Sequence, residues 1–326
     1  MMKAVILNDF GTPDVLTLSE VPSPVPSADQ LLVRVKATAL NRADILQRQG
    51  LYPPPSGESD ILGLELAGEV VDFGSNVNGF SVGQRVFGLV GGGGYAEYAV
   101  IDQKMAMPLP QGWDFTQAAA TPEAFFTANE TVFELGQLKA EESILIHAAG
   151  SGVGTAAIQM AQHIGATVYV TAGSTEKINK AMALGATAGI NYKTQDFLRE
   201  IKRLTKNKGV DVIEDFLGAN YLDRNLRLLK ASGRLIIVAL MGGKRCDINL
   251  DLVLLKRLQI KGFIMRSRSI SEKRDITSRF MQRWLSILEE GAITPVIDSV
   301  YPFEEVKQAH EQMEANQNFG KIVLTL

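Results

Sequence analysis

Ile144-Leu145-Ile146-His147-Ala148-Ala149-Gly150-Ser151-Gly152-Val153-Gly154-Thr155-Ala156-Ala157-Ile158-Gln159 is the stretch whose reading decides the fold. Three apolar residues end a buried strand, small residues make a turn, and a helix opens inside that turn. Small side chains let a backbone approach an anionic group closely, and the first helical turn offers it unpaired N–H groups and the positive dipole end. That geometry suits a phosphate. In the Gly-x-Gly-x-x-Gly register the first two glycine positions hold Ala149 and Ser151; only Gly154 matches, with Gly150 and Gly152 between. A tight strand-to-helix connection is the plainer reading. Context favours the phosphate, because the turn follows a strand, opens a helix and starts a series of βαβ units. No Gly-Lys-Ser/Thr ending follows, which disfavours an ATPase or GTPase.

Downstream, the pattern predicts strand 167–171, helix 176–184, strand 189–191, helix 196–204, strand 210–215, helix 221–229 and strands 233–240 and 258–263. Short strands alternating with helices mean an α/β, doubly wound parallel sheet, expected over 123–264. Upstream, 31–37, 66–74 and 84–90 read as strands bounded by turn residues, so 1–122 is expected to be a mostly β domain. Pro22, Pro24 and Pro26 read as an extended connector, and 53–55 as a stiff proline loop. The glycines 91–94 lead into Tyr95-Ala96-Glu97-Tyr98 instead of a helix start, and read as a flexible surface turn. After 264 come a helix over 280–288, a segment 296–301, a helix near 304–314 and a closing strand 321–326. These complete the first domain as 265–326. Phe280, Trp284, Leu285 and Leu288 read as the core face of the first of these helices.

The chain has 326 residues, 46% of them hydrophobic, which is enough for two packed domains at about 150 residues each. Its 33 basic and 36 acidic residues leave a net charge of −3, so no basic footprint invites nucleic acid. One cysteine, Cys246, excludes a disulfide framework and a zinc site built on several thiolates, and suits a reducing compartment, the cytoplasm. The N-terminal apolar run is too short for a signal-peptide core, and no apolar run nears the ~18 residues of a membrane span. His147, His163 and His310 are scattered and read as structural residues.

Dinucleotide sites that favour NADH carry a carboxylate at the end of the second strand, about 20 residues on, for the ribose 2′-hydroxyl. Here Gly173 and Ser174 stand at that strand end. A 2′-phosphate meets no like charge there, Ser174 and Tyr192 can donate hydrogen bonds to it, and Lys177 supplies a cation. NADPH is therefore the expected cofactor. The alternative is that Ser174 caps the next helix and Lys177 lies on its solvated face; Glu176 weakens the electrostatic case for a phosphate.

A β domain, an inserted nucleotide domain and a C-terminal return together resemble the medium-chain dehydrogenase/reductase superfamily, with a Rossmann domain and a GroES-like catalytic domain. Asn41-Arg42-Ala43-Asp44, Gly50-Leu51-Tyr52-Pro53-Pro54-Pro55, Leu62-Gly63-Leu64-Glu65, the 91–94 glycines and the 148–154 and 172–177 turns resemble its zinc-free quinone oxidoreductases, typified by zeta-crystallin. Leu240-Met241-Gly242-Gly243, Met313-Glu314-Ala315-Asn316 and Gly320-Lys321-Ile322-Val323-Leu324 resemble most the tumour-suppressor-inducible subgroup of these. Zinc-containing relatives use Cys, His and an acidic residue in the first domain. Here Asn41, Asp44 and Gly63-Leu64-Glu65 stand in the corresponding places, so no metal is expected.

The resemblance implies NADPH-dependent reduction of a quinone, or another small electrophilic acceptor, in an interdomain cleft. The reduced oxygens can take protons from water, so the motifs need no acid–base pair. Asn41 and Tyr52 are the candidate catalytic residues and also count among the cofactor contacts. Each has a structural alternative, Asn41 as a turn residue before a helix and Tyr52 as the anchor of the proline loop. The implied cofactor set adds Thr127, Gly150, Ser151, Gly152, Val153, Gly154, Gly173, Ser174, Lys177, Tyr192, Leu240, Met241, Phe263 and Asn318. Reduction of the activated C=C bond of an enal or enone is the alternative reaction, with Tyr52 as its visible proton donor. A crystallin-like or RNA-binding role is a third reading. The strand 260–263 falls where members of the resembled family pair the edges of two nucleotide domains, so the resemblance implies a homodimer through an extended sheet, with a tetramer as a further step.

Overall fold

Alternating apolar strands and amphipathic helices build residues Thr127–Met265 of the computed structural model, which describes the whole chain, 1–326. Six parallel strands lie in the spatial order Ala188–Asn191, Thr167–Ala172, Ser143–Ile146, Val210–Asp215, Leu229–Ile237, Gln259–Gly262. This is the doubly wound order, whose reversal falls between Ser143–Ile146 and Val210–Asp215. Ile144, Leu145, Ile146, Val168, Val170, Val212 and Ile213 are fully buried, as strands covered on both faces require. Leu145, Tyr169, Ile190, Phe197, Leu226 and Leu235 join one core with the flanking helices.

One expected strand is corrected here. The strand placed at 233–240 is Leu229–Ile237. It starts earlier because Leu229 already pairs with Val210, with the register shifting before Val212. It stops at Ile237 because the chain turns back, the Met241 N–H binding Phe216 O (3.1 Å).

The second unit comprises Met1–Phe126 and Arg266–Leu326, so the chain passes between units at 126/127 and 265/266. Composition alone suggests 122/123 and 264/265. Its seven-stranded sheet runs Ile297–Pro302, Lys321–Thr325, Gln30–Ala39, Glu65–Phe73, Arg85–Leu89, Ala106–Pro108, with Tyr98–Asp102 also on Gln30–Ala39. Lys321–Thr325 pairs with Gln30–Ala39, so the C-terminal return is part of this sheet. A hairpin of Met2–Leu7 and Leu16–Val21 stands beside it.

The helix expected at 280–288 begins at Ile270, where Ser269 and Glu272 form a reciprocal cap that the apolar stripe does not show. A π turn over Met281–Leu285 brings Phe280, Trp284 and Leu288 to the buried side. The 91–94 run is also corrected, because it is not a flexible surface turn. Gly91, Gly93 and Gly94 are buried, and Gly93 and Gly94 donate to Ile61 O (2.8 Å) and Gly63 O (3.0 Å). A Cβ on Gly94 would lie 2.8 Å from Glu65 O, so glycine here serves close backbone packing.

Candidate active site

Apart from Thr127, which lies on the helix Pro122–Ala128, the candidate residues of the nucleotide unit follow the carboxyl ends of its parallel strands, and therefore line one edge of its sheet. After Ser143–Ile146, Ala148 takes a left-handed backbone (φ +53°) and accepts the Ser151 N–H (2.9 Å), which tightens the turn. Ser151 caps the helix Gly152–His163, its hydroxyl accepting the Gly154 N–H (2.9 Å). A Cβ at Gly154 would lie 2.7 Å from Ala148 O, so only glycine lets the helix come this close. Ser151, Gly152 and Val153 are partly exposed, so the helix start is open to an anion.

After Thr167–Ala172, a Cβ on Gly173 would meet the Tyr192 hydroxyl at 2.6 Å and Lys193 Cε at 3.4 Å. Gly173, Ser174 and Tyr192 are thus brought together, joined by Lys193, which the sequence reading did not single out. Ser174 caps the helix Thr175–Ala183, accepting the Lys177 N–H (3.2 Å), so its structural alternative is realised. The Glu176 carboxylate is committed to Lys180 (2.8 Å), which reduces its repulsion of a phosphate. Leu240 and Met241 are exposed in the turn after Leu229–Ile237, and Phe263 is buried just past Gln259–Gly262. Thr127 is buried, and its carbonyl accepts the Thr131 hydroxyl (2.8 Å). His147 is locked between Thr171 and Asn225 (both 2.9 Å), and burial lowers its pKa to about 4, so it acts as a neutral structural residue. These open N–H groups, hydroxyls and lysines fit the phosphates of a dinucleotide.

In the β-rich unit, Asn41 precedes the helix Arg42–Arg48, and its N–H donates to Asp44 (2.8 Å). Its side chain is fully engaged. Nδ2 donates to Glu65 Oε1 (2.8 Å) and Ala39 O (3.3 Å), and Oδ1 accepts from Lys321 Nζ (2.6 Å). Lys321 Nζ also donates to Glu65 Oε1 (2.7 Å) and Leu40 O (2.9 Å), so all three ammonium protons are placed among oxygens. Asp44 is buried with the Gly63 N–H (3.2 Å) on its second oxygen, and desolvation raises its pKa to about 6.

Tyr52 is partly buried under the Arg266 guanidinium, whose Cζ lies 5.5 Å from the ring centroid. Arg266 also donates to Tyr52 O (3.1 Å) and Gly91 O (3.3 Å), which ties the proline loop to the glycine run. Burial, then the nearby Glu123, pushes the Tyr52 phenol up to about 12. Asn318 is in the C-terminal return and donates to Gly320 O (2.8 Å). Glu65, Glu123, Arg266 and Lys321 join Asn41 and Tyr52 in this cluster, and the sequence does not mark them as candidates. Glu65 and Lys321 sit inside phrases that carry the resemblance, but their pairing spans 256 positions and has no local signal.

A zinc ion does not suit this cluster. Leu64 offers no donor, no thiolate is present, the Asn41 oxygen and Glu65 Oε1 are taken by the Lys321 ammonium, and Glu65 Oε2 accepts the Glu123 N–H.

Two family models match the chain, an alcohol dehydrogenase GroES-like domain over residues 27–111 and a zinc-binding dehydrogenase domain over 152–283. The quinone oxidoreductase of Rattus norvegicus is 35% identical over 100% of this chain and 98% of its own. The solved structure of the Escherichia coli quinone oxidoreductase complexed with NADPH superposes with a TM-score of 0.90 at 29% identity, over 99% of this chain and 100% of that one. The CurK enoyl reductase structure has a TM-score of 0.88 at 27% identity, covering 99% of each chain.

Proposed function

The chain belongs to the quinone oxidoreductase branch of the medium-chain dehydrogenase/reductase superfamily, and from that premise we propose that it reduces quinones with NADPH and without a metal. The carrying observation is Lys321, whose ammonium takes the Asn41 oxygen and one Glu65 oxygen that a catalytic cation would need. Without a Lewis acid, the protein's work is to bind, orient and exclude water.

When bound, the nicotinamide supplies the hydride. The 150–154 turn orients the cofactor through its pyrophosphate, and Gly173, Ser174, Lys177 and Tyr192, with Lys193 beside them, receive the 2′-phosphate. The absence of a carboxylate at Gly173 and Ser174 supports NADPH over NADH. Thr127, Leu240, Met241, Phe263 and Asn318 complete the proposed cofactor set. Tyr52 offers a flat ring for stacking on the acceptor, and Asn41 a dipole held in one orientation by Lys321 and Glu65. The likeness to an enoyl reductase favours activated C=C bonds as a second acceptor class. The proposed assembly is a homodimer and the proposed compartment the cytoplasm; no helix is long and apolar enough to cross a membrane.

The test is the initial rate of NADPH oxidation with 1,2-naphthoquinone, before and after chelator treatment, with NADH and an enone in parallel. Quinone-dependent turnover that prefers NADPH and survives chelation is expected. Absence of turnover, or its loss on chelation, overturns the proposal.

A further inference from the structure

Hydride transfer to a quinone leaves one more hydrogen to be added as a proton, and hydride transfer to an enone leaves one to be added at carbon. We propose that Glu123 is the acid that delivers this proton to the reduced acceptor, an inference that rests on the quinone-reductase reading above. Glu123 opens the helix Pro122–Ala128, and Thr127, proposed for the nicotinamide, lies one turn further along that helix.

Its backbone N–H donates to Glu65 Oε2 (2.8 Å), so two carboxyl-bearing residues adjoin and have different surroundings. The Glu65 carboxylate is salt-bridged to Lys321 and hydrogen-bonded by Asn41. Glu123 is partly exposed, and its carboxyl has no hydrogen bond or ion pair to the protein, although titratable groups on several elements act on it electrostatically. These are Glu65 on its strand, Asp44 on Arg42–Arg48, Lys321 on the last strand, Lys273 on Ile270–Phe280, and Tyr52 and Arg266 alongside. Desolvation, then the Glu65 charge, raises its pKa to about 8, against the partial relief of Lys321 and Lys273. At neutral pH it therefore holds a proton it can give up. The Tyr52 phenol, at about 12, is the weaker acid of the two. The two carboxyls thus have different partners, Glu65 the Lys321 ammonium and Glu123 none.

The balance is simple. The quinone gains a hydride from the nicotinamide and a proton from the Glu123 carboxyl, and leaves as hydroquinone. The Glu123 carboxylate recovers its proton from water. With an enone, the proton goes to the α-carbon and the hydride to the β-carbon.

The test compares wild type with Glu123→Gln and Glu123→Asp. Wild-type kcat should fall as pH rises through about 8, because the acid is needed in its protonated form. Glu123→Gln should lose that fall and lose rate at pH 7, about 10-fold with 1,2-naphthoquinone and about 100-fold with an enone. Its NADPH affinity should be unchanged, which also shows that it is folded. Glu123→Asp should restore part of the rate and the pH dependence. Full rate and an unaltered pH profile in Glu123→Gln, or no rescue by Glu123→Asp, overturn the donor role alone. A wild type that reduces neither acceptor overturns the functional reading, and the donor role with it.

Discussion

Lys321 shows what one residue can do when three oxygens converge on it. Its ammonium joins Leu40, Asn41 and Glu65, and so fixes the side chain of a candidate site residue from the opposite end of the chain. Lys321→Met would leave the buried Glu65 carboxylate without its partner, a loss expected to cost about 3–5 kcal/mol in urea unfolding. Adding Glu65→Gln should recover most of it, because the amide needs no counter-charge. A double variant no more stable than Lys321→Met would show that the pair is not coupled. At this scale, Asn41 and Tyr52 were legible because the resemblance rests on short phrases around them. Glu123 and Arg266 were not, since only folding brings them beside Tyr52.

At the scale of elements, the π turn Asn129–Leu135 and the strand Val210–Asp215 meet at a buried acid. The Thr131 hydroxyl lies 2.6 Å from Glu214 Oε1 and 2.8 Å from Thr127 O. It has one proton to give, so a protonated Glu214 completes the pair, in keeping with a pKa that burial raises to about 8. The folded state then keeps a proton that the unfolded chain, titrating near 4.5, gives up. Stability should therefore fall as pH rises from about 4.5 to about 8, and level off beyond. Glu214→Gln should flatten part of that slope in denaturation midpoints taken across the range; an unchanged slope would show that Glu214 does not titrate there. Asp44 and Glu123 contribute with the same sign, so a residual slope is expected. Strand and helix order in this unit was legible from periodicity. The start of the Ile270–Phe280 helix lay in its Ser269/Glu272 cap, while the 91–94 glycines misled because their reason is a neighbouring backbone.

For the whole molecule, Gln259–Gly262 is the outer strand of the six-stranded sheet, with Ile260 37% exposed and Leu250, Leu254 and Leu255 more than half exposed on the helix before it. An open apolar edge of this kind invites pairing with a second copy. Light scattering should then give a dimer of the 35.4 kDa chain, and Ile260→Lys should shift it towards monomer. A monomeric wild type would exclude pairing through this edge. By itself the sequence determined the doubly wound sheet, the small-residue turn that opens its first helix and the return of the C-terminus, because periodicity, turn chemistry and strand–helix alternation are local properties read over a few tens of residues. Tertiary structure decided the rest: which oxygens the Lys321 ammonium would meet, that the glycine run is buried, and that Glu123 comes to lie beside Glu65. Desolvation and charge pairing depend on neighbours distant in sequence, and only the folded chain brings them within reach.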